Sequence, residues 1–268
     1  MKRALARYTP GAALRRLRSR GGRNGLPSAG VREASLWTLL RPYLPNDHAR
    51  QVSSRYYIQL LMQRAPPAQR IMDLGCGTGG SVDLFRQFDP QVDWVGVDIA
   101  DSQEVRQRRR TDATFITYDG TTLPFPDASF DVVYSSQVLE HVHDPVGQLR
   151  EVARVLRPGG ALIGSTSQLE PYHSRSYWNY TALGFVSLAG EAGLTVQELR
   201  PGIDAVTLIM RAFLGRPPGF ARWWDEDSPL NVLIDEWAEE TGRSPALVNL
   251  RKLQFAGQFA FLVRRLAP

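Results

Sequence analysis

Residues 71–80, Ile-Met-Asp-Leu-Gly-Cys-Gly-Thr-Gly-Gly, decide the fold of this chain. Their apolar start predicts a short buried strand that ends at Asp73-Leu74. The glycines that follow predict a tight turn, because glycine adopts positive φ and has no Cβ to keep a ligand away. Residues 81–88 then carry apolar side chains at the spacing of one helix face. A helix that starts at such a turn favours an anionic ligand group, so we expect a nucleotide-like ligand here.

Two kinds of ligand fit the glycine pattern. Gly75, Gly77 and Gly80 match the dinucleotide motif G-x-G-x-x-G, which alone is a weak signal. Asp73, however, comes directly before the turn, where its carboxylate would repel a pyrophosphate and attract an ammonium group. The sequence therefore favours a nucleoside ligand that carries an ammonium group over a dinucleotide.

Two further acids follow predicted strands. Residues 92–98 predict a second strand that ends in Asp98, at the separation expected of an acid that binds a ribose. Residues 113–117 predict a third strand, which leads to Asp119-Gly120. A carboxylate at that place is suited to accept a hydrogen bond from an adenine amino group. Together with Asp73, these acids indicate an adenosyl ligand.

On these motifs, the chain resembles the class I S-adenosylmethionine-dependent methyltransferases, in the type 11-like branch that acts on small molecules. Residues 73–79, D-L-G-C-G-T-G, resemble the first motif of that family, and the later family motifs follow in order up to Gly160. The resemblance covers about residues 69–166. It implies a Rossmann-like, doubly wound seven-stranded α/β sheet, mostly parallel with an antiparallel last strand. It also implies S-adenosylmethionine as the cofactor, held by Asp73, Gly75, Cys76, Gly77, Gly79, Asp98, Ile99, Asp119, Gly120, Ser135 and Gln137.

The residues after predicted strands four and five are candidates for chemistry, because ligands of parallel sheets bind at that edge. His141 is the leading candidate for a general base, since imidazole ordinarily titrates near pH ~6.5. A purely structural histidine is the alternative. A metal site at His141, His143 and Asp144 has no evident further ligand, so no metal is predicted. His173, with Glu170 behind it, is the second candidate base.

An aromatic segment after strand five is the expected binding site of the methyl acceptor. It contains Tyr172, Arg175, Tyr177, Trp178 and Tyr180. Flat faces with hydrogen-bond donors suit a sugar ring or an aromatic metabolite. An aromatic hinge that packs against the sheet edge is the alternative.

The predicted function is methyl transfer to a hydroxyl of a small molecule, such as a saccharide or a glycosylated secondary metabolite. Three alternatives stay open: N-methylation, C-methylation, and a non-catalytic domain that binds the cofactor or a partner protein. DNA amine methylation uses an Asx-Pro-Pro-aromatic motif where this chain has Ser135-Ser136-Gln137-Val138. Carbon methylation of RNA pyrimidines needs a catalytic cysteine, but the only cysteine of this chain, Cys76, lies in the glycine turn. Nucleic acid is therefore not the expected substrate, unless Arg108-Arg109-Arg110 and the basic residues 1–23 form a continuous track. A solvated helix end is the expected role of that arginine run.

The charge of the chain is unevenly distributed. Residues 1–23 hold eight basic residues and no acid, while the whole chain has a net charge of +5, so the remainder is mildly acidic. We expect a flexible basic arm over residues 1–30, with weak contact to an anionic membrane surface as one use. Two helices, Glu33 to Leu44 and Asp47 to Gln63, are expected within residues 31–68, where they would cover the cofactor. The methyltransferase domain is expected over 69–268, with its last strand from Lys252 to Leu266. Within that domain, residues 201–250 are expected to form an insertion that serves either as a lid or as a homodimer contact.

The location expected from composition is the cytoplasm. One cysteine among 268 residues cannot form an intramolecular disulfide, which suits a reducing compartment. No apolar run is long enough for a transmembrane helix.

Overall fold

The computed structural model describes residues 31–64 and 68–266. Within them, seven strands, numbered along the chain, form one sheet in the order β3-β2-β1-β4-β5-β7-β6. The strands are β1 (Arg70–Leu74), β2 (Asp93–Ile99), β3 (Thr114–Tyr118), β4 (Phe130–Ser136), β5 (Leu156–Ser167), β6 (Leu194–Pro201) and β7 (Gln258–Arg265). The pairs β1–β2, β2–β3, β1–β4 and β4–β5 are parallel, and the last strand is antiparallel. The predicted Rossmann-like α/β fold is confirmed.

Helices connect the strands. They are α1 (Val31–Leu40), α2 (Arg55–Met62), α3 (Ser81–Arg86), α4 (Gln103–Gln107), α5 (Pro145–Val155), α6 (Ala182–Glu191), α7 (Ala205–Phe213), α8 (Pro229–Thr241) and α9 (Pro245–Leu253). Short 3-10 helices cover Arg41–Tyr43, Leu139–His141 and Pro218–Trp224. Among the described residues, no helix has the length and apolar character needed to cross a bilayer.

The central strands are buried on both faces. Ile71, Met72 and Leu74 of β1 have no solvent exposure, as expected of a parallel strand covered on both sides. Strands β4 and β5 lie so close that a Cβ on Gly164 would stand 1.6 Å from the carbonyl oxygen of Ser135. Only glycine therefore permits this pairing, which brings the ends of both strands to the same edge.

The chain divides into two compact units. The larger comprises the described residues within 54–166, 174–198 and 260–266. The smaller comprises the described residues up to Ser53, together with 167–173 and 199–259. The predicted arm of residues 1–30 lies outside the described residues.

Buried polar pairs organise the smaller unit. The Lys252 ammonium is fully buried and donates to the Asp235 carboxylate and to the Ala49 carbonyl, each at 2.7 Å. The Asn249 amide donates to the carbonyl oxygens of Pro45 (3.0 Å) and His48 (2.9 Å). A buried charge needs such partners, because desolvation without them is costly.

These contacts correct one predicted helix. The pattern predicts a helix from Asp47 to Gln63, but α2 begins only at Arg55. The carbonyl groups of residues 45, 48 and 49 accept from Asn249 and Lys252 instead of from backbone N–H groups four residues later. Tertiary contacts that local spacing does not reveal keep this stretch extended.

The predicted last strand, Lys252 to Leu266, is also too long at its start. Helix α9 runs to Leu253, and β7 begins at Gln258. Pro245 stands at the first position of α9, where proline favours helix initiation. Leu250 and Leu253 are spaced as on one helix face and are both buried. The apolar run therefore divides between a helix and a strand.

Candidate functional site

The strand register brings the predicted cofactor residues to one edge of the sheet. In β1, Leu74 pairs with Ser135 of β4, and in β2, Ile99 pairs with Tyr118 of β3. The order of strands reverses between β1 and β4. Ligands of open α/β sheets bind at such a reversal, outside the carboxyl ends of the strands.

The glycine turn is held against β2 and the loop after β4. The N–H groups of Gly75 and Cys76 donate to the Val97 carbonyl oxygen at 2.8 and 3.2 Å. Gly75 has φ +71°, and a Cβ there would lie 2.4 Å from Cγ2 of Val138. Gly77 has φ +50°. Positive φ and close packing against side chains of the protein thus both require glycine in this turn.

Gly79 and Gly80 distinguish the two ligands that the sequence left open. Gly79 has φ +83°, and a Cβ on it would lie 2.6 Å from the Phe115 ring. A Cβ on Gly80 would meet nothing within 4 Å, and its φ is −64°. In the dinucleotide motif the last glycine permits close packing of helix on strand. Gly80 has no such role, so the glycines that the geometry requires are those of D-x-G-x-G-x-G.

Asp73 lies beneath the turn. Its side chain is 4% exposed and accepts a hydrogen bond from the Ser81 hydroxyl, which in turn accepts one from Nε1 of Trp94 at 3.1 Å. Burial raises the pKa of Asp73 to about 7, although the Ser81 hydrogen bond opposes the shift. A nearby ammonium group would favour the ionised carboxylate, so this acid fits a ligand that carries one.

Asp98 links the turn to the end of β2. Its Oδ2 accepts from Gly77 N at 2.7 Å and its Oδ1 from Ile99 N at 2.8 Å. Burial raises the pKa of Asp98, and these backbone hydrogen bonds oppose the rise. A carboxylate offers about four acceptor positions. The two backbone bonds therefore leave capacity for ribose hydroxyls, as the residue pattern predicts.

Asp119 follows β3 and is exposed. Its Oδ1 accepts from Thr121 N and Thr122 N, both at 2.8 Å, and these bonds lower the pKa of Asp119. Gly120 follows with φ +84°. Ile99 is 39% exposed, and its Cγ2 would lie 3.4 Å from a Cβ on Gly120. An exposed apolar side chain next to an ionised carboxylate suits a flat base with an amino group.

Two arginines brace the glycine turn, and the sequence pattern did not reveal them. The run Arg108-Arg109-Arg110 predicts only a solvated helix end, which is wrong for the first and third residues. Arg108 Nε donates to the Gly77 carbonyl oxygen at 2.7 Å, and its guanidinium lies 4.0 Å from the Phe115 ring centroid. Arg110 donates to the Gly79 carbonyl oxygen at 2.9 Å. The only sequence signal for this role is the position of the run, a few residues before β3.

Cys76 contributes backbone to the turn, as expected. Its thiol is buried, and an amino group of Arg108 lies 3.4 Å from Sγ. Burial raises the pKa of Cys76 to about 12, mainly by desolvating the thiolate. At neutral pH the residue is a thiol, which is a poor nucleophile.

Beyond β4 the chain turns over the sheet edge through Gln137. This residue has φ +57°, a conformation that costs energy outside glycine and occurs often at functional sites. Its N–H donates to the Ser165 carbonyl oxygen at 2.9 Å. The neighbouring Ser135 hydroxyl is buried and has no hydrogen-bond partner among the described residues. The end of β4 thus combines backbone strain with an unsatisfied hydroxyl.

His141 ends a short 3-10 helix that the larger unit holds firmly. Its N–H donates to the Val138 carbonyl oxygen at 2.8 Å. Glu140 is fully buried and accepts from the Thr166 hydroxyl at 3.0 Å. A carboxylate oxygen of Glu140 lies within 4.8 Å of a ring nitrogen of His141. Asp144 instead caps α5 by accepting from Gly147 N at 3.0 Å, so its carboxylate has a structural use.

Aromatic residues of the predicted acceptor-binding segment hydrogen-bond to the turn at residues 139–142 or pack beside it. Trp178 Nε1 donates to the Val142 carbonyl oxygen at 2.9 Å, and Tyr177 packs edge-on against His143 at 5.5 Å between ring centroids. Both side chains remain about half exposed. Tyr180 is buried and donates to the Leu139 carbonyl oxygen at 2.8 Å. Arg175 is exposed. Tyr180 therefore packs the turn, while Tyr177 and Trp178 keep free faces.

The remaining predicted residues belong to the smaller unit. Tyr172 is 81% exposed. His173 is half-buried, with Nδ1 3.2 Å from the Pro171 carbonyl oxygen and 3.9 Å from Oε1 of Glu170. Glu170 also accepts from Ser167 Oγ at 2.8 Å and from Gln258 Nε2 at 2.7 Å. A catalytic role for His173 stays a prediction.

Part of the chain is similar to known methyltransferases. Residues 72–164 match the family model described as "Methyltransferase domain". A demethylmenaquinone methyltransferase of Renibacterium salmoninarum is 42% identical over 100 residues, 37% of this chain and 41% of that protein. A 2-methyl-6-phytyl-1,4-hydroquinone methyltransferase of Synechocystis sp. is 36% identical over 102 residues, 37% of this chain and 32% of that protein. The chain thus spans less than half the length of either relative.

Solved structures share the fold. The YcgJ protein from Bacillus subtilis has a TM-score of 0.51 and 19% identity, over 80% of this chain and 98% of that one. The [4+2]-cyclase SpnF has a TM-score of 0.51 and 20% identity, over 92% and 100%. At 19% and 20% sequence identity, these structures show only that the chain shares their fold.

Residues 72–164 are thus similar to a methyltransferase domain, and the sheet and the edge site around them have the arrangement of the class I S-adenosylmethionine-dependent methyltransferases. The cofactor that this similarity implies is S-adenosylmethionine. The residues fit that cofactor, because buried Asp73 suits an ammonium group and Asp98 keeps acceptor positions for ribose hydroxyls beside its two backbone hydrogen bonds. When bound, S-adenosylmethionine supplies a methyl group on a sulfonium sulfur that is already a good leaving group.

Proposed function

We propose that the protein transfers a methyl group from S-adenosylmethionine to a small molecule that carries a hydroxyl, with His141 as the general base. Methyl transfer from a sulfonium needs mainly alignment, which is worth roughly 7–11 kcal/mol in favourable intramolecular models. A positioned base adds about 10²–10⁴-fold when the acceptor must lose a proton.

One observation carries the proposal: the immobilised turn around His141. Thr166, Tyr180 and Trp178 each hydrogen-bond to a different residue of the stretch 139–142. A general base acts best when its position is fixed before the substrate binds. Since the turn follows directly after β4, His141 stands at the edge where ligands of this fold bind.

The free faces of Tyr177 and Trp178 support an acceptor with a ring. These side chains are 57% and 45% exposed, and aromatic faces pack against sugar rings and aromatic metabolites alike. A glycosylated or phenolic hydroxyl compound is therefore the acceptor class we infer. The cytoplasm and a homodimer remain the predicted location and assembly.

C-methylation of a hydroquinone ring is the second candidate. The two relatives above are named for demethylmenaquinone and for a 1,4-hydroquinone. Loss of a phenolic proton would also activate such a ring at carbon, so the same base would serve. The two candidates differ in the atom that receives the methyl group.

The test uses S-adenosylmethionine with a labelled methyl group. The purified chain is incubated with a metabolite extract and, separately, with 1,4-naphthohydroquinone, and the labelled atom is located by NMR. A methyl group on oxygen supports the first candidate, and one on a ring carbon supports the second. Cofactor binding without transfer to either probe would contradict both candidates and favour a binding domain.

His141→Gln should lower turnover by about 10²–10⁴-fold while cofactor affinity stays unchanged. His143→Gln is the matched control, because His143 is exposed and packs only against Tyr177 in the contacts above. Wild-type turnover in His141→Gln would assign the base elsewhere, with His173 the next residue to replace.

A further inference from the structure

The three acids at the cofactor edge differ in the hydrogen bonds that their carboxylates accept. Asp98 accepts from two backbone N–H groups. Asp119 also accepts from two and is exposed to solvent. Asp73 is 4% exposed, and among the described residues its carboxylate accepts only from the Ser81 hydroxyl. A carboxylate has about four acceptor positions, so the negative charge of Asp73 is the least stabilised of the three.

Charged groups near Asp73 do not make up for the missing hydrogen bonds. Asp98 carries the same charge, and Arg108 uses its Nε to donate to a carbonyl oxygen of the turn at 2.7 Å. A buried charge without a close partner is costly, and a carboxyl group avoids that cost by keeping its proton. The pKa of Asp73 has the matching direction: burial raises it to about 7, Asp98 adds to the rise, and the Ser81 hydroxyl and Arg108 oppose it.

Within the described part of the chain, the other titratable side chains next to Asp73 are uncharged near neutral pH. Tyr134 of β4 pairs with Asp73 in the sheet register, and Cys76 lies in the turn that covers Asp73. Burial raises the pKa of the Tyr134 phenol and that of the Cys76 thiol, so both keep their protons between pH 6 and 8. The two groups at this end of the site that can exchange a proton are therefore Asp73 and Asp98.

We propose that Asp73 keeps its carboxyl proton until a ligand with an ammonium group binds, and then releases that proton to the solvent. The ammonium group supplies the opposite charge that the protein itself does not place beside this carboxylate, so the ionised form becomes the favoured one. S-adenosylmethionine and S-adenosylhomocysteine share the same amino-acid end, so the binding of either is linked to the loss of up to one proton per site. Asp73 thereby makes the selection of that end depend on pH.

The affinity for such ligands should fall as the pH falls below about 7. A proton then competes with the ammonium group for the Asp73 carboxylate, which weakens binding by up to about tenfold per pH unit. Above pH ~7.5 the carboxyl group is already ionised before binding, so the affinity should change little with pH. A ligand that lacks the ammonium group should show neither effect. The inference rests on the cofactor site alone and not on the methyl acceptor or on His141.

The experiment is calorimetric titration of the full chain with S-adenosylhomocysteine at pH 6, 7 and 7.5. Each titration is run in phosphate and in imidazole buffer, whose heats of ionisation differ, so the difference in binding heat counts the protons released. We expect about 0.9 proton at pH 6, about half a proton at pH 7 and about a quarter at pH 7.5, as for one group that titrates near 7. 5′-Methylthioadenosine is the matched control ligand. It keeps the adenosine, and with it any proton linked to Asp98, but it has no ammonium group and should release no proton.

Two variants assign the proton to Asp73. Asp73→Asn has no carboxyl group at this position and should bind S-adenosylhomocysteine without releasing a proton at any of the three pH values. Ser81→Ala removes the hydrogen bond that favours the ionised form, so at pH 7 it should release more than the wild-type chain, close to about one proton. Ser81→Ala keeps the carboxyl group and provides the test even if Asp73→Asn does not fold.

Three results would each overturn the proposal. The first is binding of S-adenosylhomocysteine by the wild-type chain at pH 6 without proton release. The second is equal release with 5′-methylthioadenosine, which would assign the proton to an adenosine contact such as Asp98. The third is undiminished release in a folded Asp73→Asn variant. Proton release as expected, in a chain that transfers no methyl group to any acceptor, would count against the proposed reaction and leave this inference standing.

Discussion

Arg108→Ala tests whether the arginine brace preforms the cofactor site. The substitution removes a charge-assisted hydrogen bond of 2.7 Å to the Gly77 carbonyl, a type worth about 1.5–3 kcal/mol. It also removes a cation–π contact at 4.0 Å to Phe115, worth roughly 0.5–1 kcal/mol at exposed sites. Arg108 is partly exposed, so solvent screening reduces the total to about 1–2 kcal/mol. If this energy holds the turn in its binding conformation, cofactor affinity falls about 5–30-fold.

Calorimetric titration with S-adenosylhomocysteine measures this effect. Arg109→Ala is the control, because Arg109 is exposed and reaches only backbone carbonyls at 3.4 Å. It removes the same charge from the adjacent position, so its affinity should match that of wild type. Equal losses in both variants would point to net charge, and an unchanged affinity in Arg108→Ala would refute the brace.

Four other substitutions, one of them a control, probe the same edge. Burial raises the pKa of Asp73 to about 7, so the native state holds the carboxyl proton of Asp73 more tightly than the unfolded state does. The contribution of Asp73 to the free energy of unfolding is therefore full below pH ~4. It falls by at most about 4 kcal/mol as the pH rises from there through ~7. In Asp73→Asn, unfolding scans from pH 5 to 8 should lose that slope, and an identical slope would contradict the buried acid. Gly79→Ala should abolish most cofactor binding, while Gly80→Ala, which meets no atom within 4 Å, should bind normally; equal affinities in a calorimetric titration would contradict the assigned turn. Gly164→Ala should lower the midpoint of thermal unfolding markedly, since its Cβ would stand 1.6 Å from the Ser135 carbonyl oxygen, and an unchanged midpoint would show that the strands separate easily.

Local sequence signals predicted the parts of the site that depend on backbone. The positions of Gly75, Gly77 and Gly79 require positive φ, and this requirement limits the residue type so strongly that a pattern reveals it. The positions of Asp98 and Asp119 were predictable for a similar reason, while their contacts with the cofactor stay predictions. Each follows directly after a strand, and the ends of parallel strands meet at one edge.

Contacts between distant residues were not predictable in the same way. Arg108 reaches Gly77 across 31 positions, and Asn249 reaches Pro45 across 204. Long side chains make such contacts without any periodicity in the sequence. The extended stretch before α2 was missed for this reason, because its carbonyl partners come from α9 and not from neighbouring residues.

Binding of S-adenosylhomocysteine to Asp98→Asn tests the placement of the cofactor at the ends of β1 and β2 most directly. Calorimetry should show one site in the wild-type chain and at least about tenfold weaker binding in the variant, since one charged acceptor is lost. Asp101→Asn, which alters an exposed acid three residues later, should bind like wild type. Wild-type affinity in Asp98→Asn, with the fold intact by thermal unfolding, would place the cofactor elsewhere.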